Sequence, residues 1–464
     1  MSLRSALRRI YDSSSVPVQT RIRMAYGRLP ARWKLGSEFQ EYCQDLMRND
    51  ARSRAELDQV QFAKLRAMIG HSAERVPFYR KAFLRAGFKP EHFRTIEDLR
   101  HIPVLSRQDL REHFDELKAV DASRYQPEAS YSGGSTGEPV RFLLDRKAIA
   151  LEKACIRRHW LRSGYKDGEP SINLRGLRVA VKPDEYWVLD RGENCLYLSS
   201  YHLTPATVGK FVKAINAFQP ALFYCYASMA WLLATLAKEA GLEVHSPRSI
   251  ICASETLHGY QRTRIESMFT TKVWDWYGLT ELVGNASQCE RHEGYHVSME
   301  QGCLEVLDEN DRPVGPGETG EIVATGLHNF SMPLLRYRTG DLAVYTDEPC
   351  PCGRGSRLIK SIQGRITEHI ETESGARLTA TALNVHGGTW QNVIQFQYVQ
   401  KSRRRVVLRV VRGAAYTDED ETRILREMGE RFGDEIELGI EYAAEIPRTA
   451  RGKMPLIVRE PEQA

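Results

Sequence analysis

Four stretches of this chain gather side chains able to do chemistry. The first, Tyr131-Ser132-Gly133-Gly134-Ser135-Thr136-Gly137-Glu138-Pro139, sets three glycines among the hydroxyls of Ser132, Ser135 and Thr136. The glycines free the backbone for tight turns that aim N–H groups inward, so the run suits an anion such as a triphosphate. It is not a Walker loop. The Gly-Lys-Ser/Thr ending is absent, and Pro139 leads into a predicted strand at 140–144 instead of a helix. Next, Trp276-Tyr277-Gly278-Leu279-Thr280-Glu281 offers an aromatic face, a hydroxyl and a carboxylate, and Tyr337-Arg338-Thr339-Gly340-Asp341-Leu342 sets a carboxylate directly after a turn glycine. Near the end, Pro447-Arg448-Thr449-Ala450-Arg451-Gly452-Lys453 carries a lysine on a Gly-flanked segment expected to be mobile. Taken singly, Tyr277 is equally a sheet-edge aromatic, Asp341 a turn former and Lys453 a solvated tail residue.

A separate set suggests metal. Cys350-x-Cys352 is a tight thiolate pair followed by a turn-permitting glycine, and Cys289 with His292 or His296 lies some sixty residues upstream. Sulfur plus imidazole in a four-ligand set favours tetrahedral zinc. The same spacing also fits two turn cysteines and two surface histidines.

The elements that must position these groups are legible in outline. Charged helix formers with apolar residues at helical spacing (Phe62, Leu65, Met68, Ile69) predict a helical region over 37–116, punctuated by Pro77, Pro90 and Pro103. Short apolar strands at 221–226, 249–252 and 273–276 alternate with helical stretches at 228–240 and 259–268, which is the form of repeated βα units and predicts a doubly wound parallel sheet. Turn signals crowd between 294 and 345, predicting a smaller antiparallel sheet. A strand at 405–411, a helix at 418–432 and a strand at 436–443 predict a compact α+β domain at the end. The expected division is a helical N-terminal region at 1–125, a core at 126–364 and a C-terminal lid at 365–464. The expected class is α/β, with a large N-terminal domain and a small mobile α+β C-terminal domain.

At 464 residues, with 42% hydrophobic and 27% charged residues, the chain is a multidomain globular protein able to bury large cores. The net charge of +5 is too small to imply nucleic-acid binding. Its excess lies at the start, where Arg4, Arg8, Arg9, Arg21, Arg23, Arg28, Arg32 and Lys34 face only Asp12. That head reads as a solvated basic arm lacking the apolar core of a secretory signal, and it leaves room for a weak membrane-surface contact. The uncharged-looking stretch 214–237 is broken by Asn216, Gln219, Pro220 and Ser228 in the manner of a strand followed by a helix, so no membrane span is expected. Nine cysteines, an odd number, argue against a disulfide framework and for a reducing cytoplasm.

Together, the four motifs and their order make the sequence resemble the adenylate-forming acyl ligase superfamily over nearly its whole length. The likeness is to the phenylacetate-CoA ligase and CapK-related branch, on the strength of Arg75-Val76-Pro77-Phe78-Tyr79-Arg80, the Ser-Gly-Gly-Ser-Thr-Gly loop and Cys350-Pro351-Cys352-Gly353-Arg354. The resemblance implies an enzyme that uses ATP and Mg2+ to turn a small-molecule carboxylic acid into an acyl-adenylate plus pyrophosphate, then passes the acyl group to a thiol or amine acceptor, coenzyme A first among them. It implies that Ser132, Gly133, Gly134, Ser135, Thr136 and Gly137 hold the β- and γ-phosphates, Thr280 the α-phosphate and Glu281 the magnesium ion. Tyr277 and Gly278 would face adenine with Ser254 and Glu255 of Ala253-Ser254-Glu255; Asp341 and Arg365 would bind the ribose. Lys453 would be catalytic, delivered to the reacting carboxylate and α-phosphate on domain closure. The zinc set implied is Cys289, His296, Cys350 and Cys352, with a structural role only.

Departures from the family pattern matter. The loop lacks a lysine after its proline, and Gly364-Arg365 continues as Ile366-Thr367-Glu368 instead of an aspartate hinge. Coenzyme A is therefore a weaker expectation than adenylation, and an amide or ester ligase with an amine or sugar acceptor is the alternative. A non-enzymatic, zinc-stapled nucleotide-binding protein is a second. Tyr224, Tyr226, Trp231 and Leu279 are candidates for an acyl pocket, with Trp231 favoured as core; a homodimer is compatible with the sequence.

Overall fold

The computed structural model describes residues 13–29, 36–132, 139–176, 186–383, 385, 388–449 and 451–460. They form two compact units that interleave along the chain, unlike the linear stretches expected above: one draws on Met1–Arg28, Gly164–Asp275 and Gln363–Ala464, the other on Leu29–Ser163 and Trp276–Ile362.

In the first unit, four parallel strands run in the order Cys195–Leu198, Ser171–Leu174, Leu222–Cys225 and Ser249–Ala253, with Trp187–Asp190 antiparallel at the edge beside Cys195–Leu198. Leu222–Cys225 and Ser249–Ala253 are buried at every position, as strands covered on both faces must be. The helices Val208–Phe218, Ala227–Glu239 and Gly259–Phe269 follow the expected βα alternation. Among the described residues no helix is long and apolar enough to cross a membrane. The uncharged stretch resolves into the end of one helix, the strand Leu222–Cys225 and the start of Ala227–Glu239.

The C-terminal part of this unit is a four-stranded sheet in the order Glu437–Tyr442, Arg405–Arg412, Val393–Gln400, Ile457–Arg459, with the helix Asp418–Phe432 at the predicted position. It shares one apolar core with the parallel strands and their helices. Trp231 lies edge-on to Phe396, with ring centroids 6.1 Å apart, and Trp390 stacks on Phe396 at 3.7 Å. Trp231 is thus core, as its helical position suggested.

The second unit holds the helical head. Ser53 and Glu56 close a capping box at the start of Arg54–Arg75, and Gly87, in the left-handed region at φ 63°, ends Pro77–Ala86. Thr95 caps the short 3-10 helix Ile96–His101. A hairpin, Glu128–Tyr131 with Arg141–Leu144, leads into the helix Arg146–Arg162. The antiparallel strands Gly302–Leu307, Thr319–Gly326 and Tyr337–Tyr345 lie side by side, and Asn285–Ser287 pairs with Tyr295–Val297, which pairs in turn with Leu358 and Ile359.

Candidate active site

The Tyr-Gly-Leu-Thr-Glu segment leaves its strand in the second unit. Trp276, Tyr277 and Gly278 pair antiparallel with Ser287, Ala286 and Asn285. Gly278 is required where it stands, because a Cβ there would meet the Trp276 indole Nε1 at 2.8 Å. Leu279 then turns inward, Thr280 is exposed and Glu281 is buried, with Leu282 following in the left-handed region at φ 55°. Two tyrosine hydroxyls address the two carboxylates of interest. Tyr277 donates to Asp341 Oδ2 at 2.9 Å, and Tyr337 donates to Glu281 Oε1 at 3.2 Å.

Asp341 does not sit in a turn, contrary to the reading of Thr339-Gly340-Asp341. The segment is a bulge inside the strand Tyr337–Tyr345, where the register against Thr319–Gly326 shifts between Glu321 and Val323. Gly340 takes φ 76° there, its N–H donates to Glu321 Oε1 at 2.9 Å, and the Thr339 hydroxyl donates to the Ile322 carbonyl at 2.7 Å. A bulge re-aims a side chain, and here it brings the half-buried Tyr277 and the buried Asp341 together across 64 positions of sequence.

Of the Gly-rich run, Gly133, Gly134, Ser135, Thr136 and Gly137 lie outside the described residues. Ser132 is buried and closes the base of the hairpin: its Oγ accepts from the Val140 N–H at 3.1 Å and from Arg107 Nη2 at 2.6 Å. Arg107 was not singled out from sequence, since nothing in the helix Arg107–Glu112 distinguishes it from a solvated charge.

The first unit holds the other group. Ala253-Ser254-Glu255 follows the carboxyl end of Ser249–Ala253, with Ser254 in the left-handed region at φ 69°. Glu255 is half-buried, its carboxyl pKa is pushed up by desolvation, and its Oε2 accepts from the Ser228 N–H at 2.9 Å at the start of Ala227–Glu239. Its carboxylate therefore serves as a helix cap.

Lys453 sits on a stitched turn within the segment expected to be mobile. Gly452 N–H donates to the Thr449 carbonyl and Thr449 N–H to the Lys453 carbonyl, both at 2.8 Å. Gly452, at φ 75°, passes so near Ser200 and Gly176 that a Cβ would meet Ser200 Oγ at 2.8 Å. The lysine is no solvated tail residue. Its Nζ donates to the Ser254 carbonyl and lies 5.6 Å from the ring centre of Tyr226. Burial lowers its ammonium pKa; Glu255 opposes this, and Arg365 and Arg175 add to it.

Arg365 ends the strand Leu358–Arg365, after Gly364 at φ 97°, whose added Cβ would meet Thr256 Oγ1 at 3.2 Å. Arg175 escaped notice in the sequence. It follows the strand Ser171–Leu174, and its Nη2 donates to Ser254 Oγ at 2.9 Å. The only sequence signal was its place at the end of a short apolar strand.

The four proposed zinc ligands do converge in the second unit. The ligating atoms of Cys289, His296, Cys350 and Cys352 all lie within 4.8 Å of one another. Cys289 Sγ is 3.7 Å from Cys350 Sγ, and Cys352 Sγ is 3.4 Å from His296 Nε2. Bonds of about 2.3 Å to sulfur and about 2.0–2.1 Å to nitrogen give tetrahedral edges of roughly 3.8 Å between sulfurs and roughly 3.6 Å between sulfur and nitrogen, so the set fits. His296 Nδ1 lies 2.7 Å from Ser356 Oγ, the outer contact that orients a ligating imidazole. Burial, helped by Arg162 and Arg354, lowers the His296 pKa to about 4, which keeps the ring neutral as ligation requires.

The family described as AMP-binding enzyme matches residues 129–332, and the CapK C-terminal domain matches residues 370–460. A phenylacetate-coenzyme A ligase of Thermus thermophilus is 29% identical over 324 residues, covering 68% of this chain and 72% of its own. Protein CapK of Staphylococcus aureus is 24% identical over 370 residues, covering 77% and 80%. Among solved structures, a 2-hydroxyisobutyryl-CoA ligase in the postadenylation state aligns with a TM-score of 0.69 at 22% identity, covering 89% of this chain and 91% of that one, which shows a common fold.

Proposed function

Because the chain belongs to the adenylate-forming ligases, in the branch of the phenylacetate-CoA ligases and CapK, and is an AMP-forming acid ligase, we propose that it converts a small-molecule carboxylic acid and ATP into an acyl-adenylate and pyrophosphate and then transfers the acyl group to coenzyme A. The observation that carries the reading is Lys453, held by its turn with Nζ on the Ser254 carbonyl beside Glu255, in the stretch assigned to adenine. A non-enzymatic binder has no support beside that family membership.

In this reading the chain contributes positioning and electrostatics. Lys453 supplies a point charge to the carboxylate and the α-phosphate as they join, Thr280 offers its exposed hydroxyl to the α-phosphate, and Asp341 takes the ribose hydroxyls with Arg365 as a further donor. Tyr277 faces adenine and is oriented by its bond to Asp341. Glu281, buried and anchored by Tyr337, is the residue that would hold Mg2+, a hard cation that neutralises the phosphates when bound. Cys289, His296, Cys350 and Cys352 would hold a structural zinc ion, a closed shell with no open position for chemistry.

The test is acid-dependent pyrophosphate release over a panel of acids, run with coenzyme A and separately with amines and sugars. A thioester formed only with coenzyme A supports the proposal, and acyl transfer to an amine or sugar alone replaces that acceptor. Absence of acid-dependent pyrophosphate release with every acid, alongside intact folding, would count against it. For zinc, the expected result is about one ion per chain in protein purified without chelator, and a lower melting temperature on chelation. Metal-free protein of unchanged stability would reduce the four residues to ordinary turn and strand positions.

A further inference from the structure

Resting on the ligase reading above, we propose that Arg175 is a second anion-binding residue of the reaction, forming with Lys453 a two-cation seat, anchored on Ser254, for the α-phosphate of the nucleotide and the carboxylate that meets it. Three elements of one unit bring the pair together. Arg175 follows the strand Ser171–Leu174, Tyr224 and Tyr226 lie at and just beyond the end of Leu222–Cys225, and Ser254 follows Ser249–Ala253. These are neighbouring parallel strands, and the space beyond their carboxyl ends is where open α/β sheets take ligands.

One residue serves both cations. Lys453 Nζ donates to the Ser254 carbonyl while Arg175 Nη2 donates to the Ser254 hydroxyl at 2.9 Å. The left-handed backbone of Ser254, at φ 69°, is a conformation that costs a non-glycine residue strain, which is the kind of cost found at ligand sites. Both acceptors are neutral oxygens. Neither positive charge is spent on them, and two like charges set side by side repel unless an anion joins them. Arg175 keeps donors in reserve, since its buried Nε has no acceptor among the described residues. Glu255 offsets part of the Lys453 charge while its Oε2 caps Ala227–Glu239, and no carboxylate bonds Arg175 among the hydrogen bonds of the described residues.

The guanidinium is also aimed. Its carbon lies 4.3 Å from the ring centre of Tyr224 and 5.6 Å from that of Tyr226, the ring that Lys453 Nζ also approaches at 5.6 Å. Aromatic faces hold a planar guanidinium in one orientation and leave its edge N–H groups for a planar or tetrahedral oxyanion. This makes Tyr224 and Tyr226 supports for a cation, whereas from sequence they were candidates for an apolar acyl pocket.

The experiment is calorimetric titration of the full-length protein with AMP and with adenosine, which differ by the phosphate alone. Arg175→Ala is expected to weaken AMP at least tenfold and to leave adenosine unchanged, with Arg175→Lys between it and the parent and the Arg175→Ala, Lys453→Ala pair weaker than either single change. Should the alanine variant fail to fold, the AMP-to-adenosine ratio in Arg175→Lys carries the test, and a ratio equal to the parent's overturns the proposal. Equal losses for AMP and adenosine, or none for either, likewise overturn it and leave Arg175 as a prop for Ser254. A parent protein that binds neither probe would sink the ligase reading itself, a different result from any produced by the variants.

Discussion

Two clusters of cations in this protein are handled in opposite ways. In the second unit, Arg158 and Arg162 are buried among acids: Arg158 Nη1 lies 2.9 Å from Glu300 Oε1, Arg162 Nε lies 2.9 Å from Asp50 Oδ2, and Asn49 adds a bond to Glu300 at 3.0 Å. Burial raises the Glu300 pKa, but the Arg158 charge and its bonds outweigh that and hold the carboxyl below its ordinary value. In the first unit, Lys453 and Arg175 rest on the carbonyl and hydroxyl of one serine. Paired charge is spent on structure, and charge left on neutral oxygens stays available to a ligand. The contrast separates residues paired into the fold from residues proposed to meet a ligand, where composition and burial alone do not.

Breaking the paired cluster should produce the largest change. Glu300→Ala takes from the buried Arg158 its nearer anion, leaving only Asp50 at 3.5 Å, and should cost about 3–5 kcal/mol of stability, read by denaturant unfolding, while protein that remains folded keeps its chemistry. A loss under about 1 kcal/mol, the range of an exposed pair, would erase the distinction between the clusters.

Lys453→Ala should do the reverse, lowering acid-dependent pyrophosphate release a hundredfold or more, about 2.7 kcal/mol of transition-state stabilisation, with an unfolding curve close to the parent's. Parent-level turnover would remove Lys453 from the chemistry. Asp341→Ala probes a carboxylate that already accepts from Tyr277. It should weaken ATP and AMP together by roughly 1.5–3 kcal/mol, and unchanged nucleotide affinity in calorimetry would take Asp341 out of the ribose assignment.

The smallest effect is on pH dependence. Burial, then Arg162 and Arg158, lowers the His159 pKa to about 3, and burial alone lowers His258 to about 4. A histidine whose folded pKa is depressed favours the folded state while neutral, so its contribution is full above the unfolded value near 6.5 and is lost as pH falls toward the folded value. Between pH 7 and 6 each should forfeit about 0.7 kcal/mol. His159→Gln should flatten that slope in unfolding midpoints measured across the range, and an unchanged slope would show that His159 is not part of it.

Much of this was legible beforehand. The helix Asp418–Phe432 falls at the expected position, and the βα alternation from Leu222 to Gly278 holds to within a residue or two. Less visible were the surroundings of each motif. Gly340 was read as a turn glycine before Asp341, and a bulge glycine carries the same local signal. Gly452 was read only as a flexible flank of Lys453, and the structure shows that it also lets the turn pack against Ser200 and Gly176.

By itself the sequence pointed to the class of chemistry through the order of its motifs, which carries the family resemblance, whereas each motif taken singly allowed a structural reading. It also determined most elements, since periodicity and caps are local. Only the tertiary structure decided which groups meet. Arg175, Ser254 and Lys453 are separated by 79 and 199 positions, Tyr277 and Asp341 by 64, and Cys289 and Cys350 by 61. The same is true of the candidate metal-ligand cluster, where strand pairing puts His296 Nε2 beside Cys352 while His292 sits in a left-handed turn closed by its N–H on the Cys289 carbonyl. Strand order and packing set those meetings, and neither is written into any window of the chain short enough to read as a pattern.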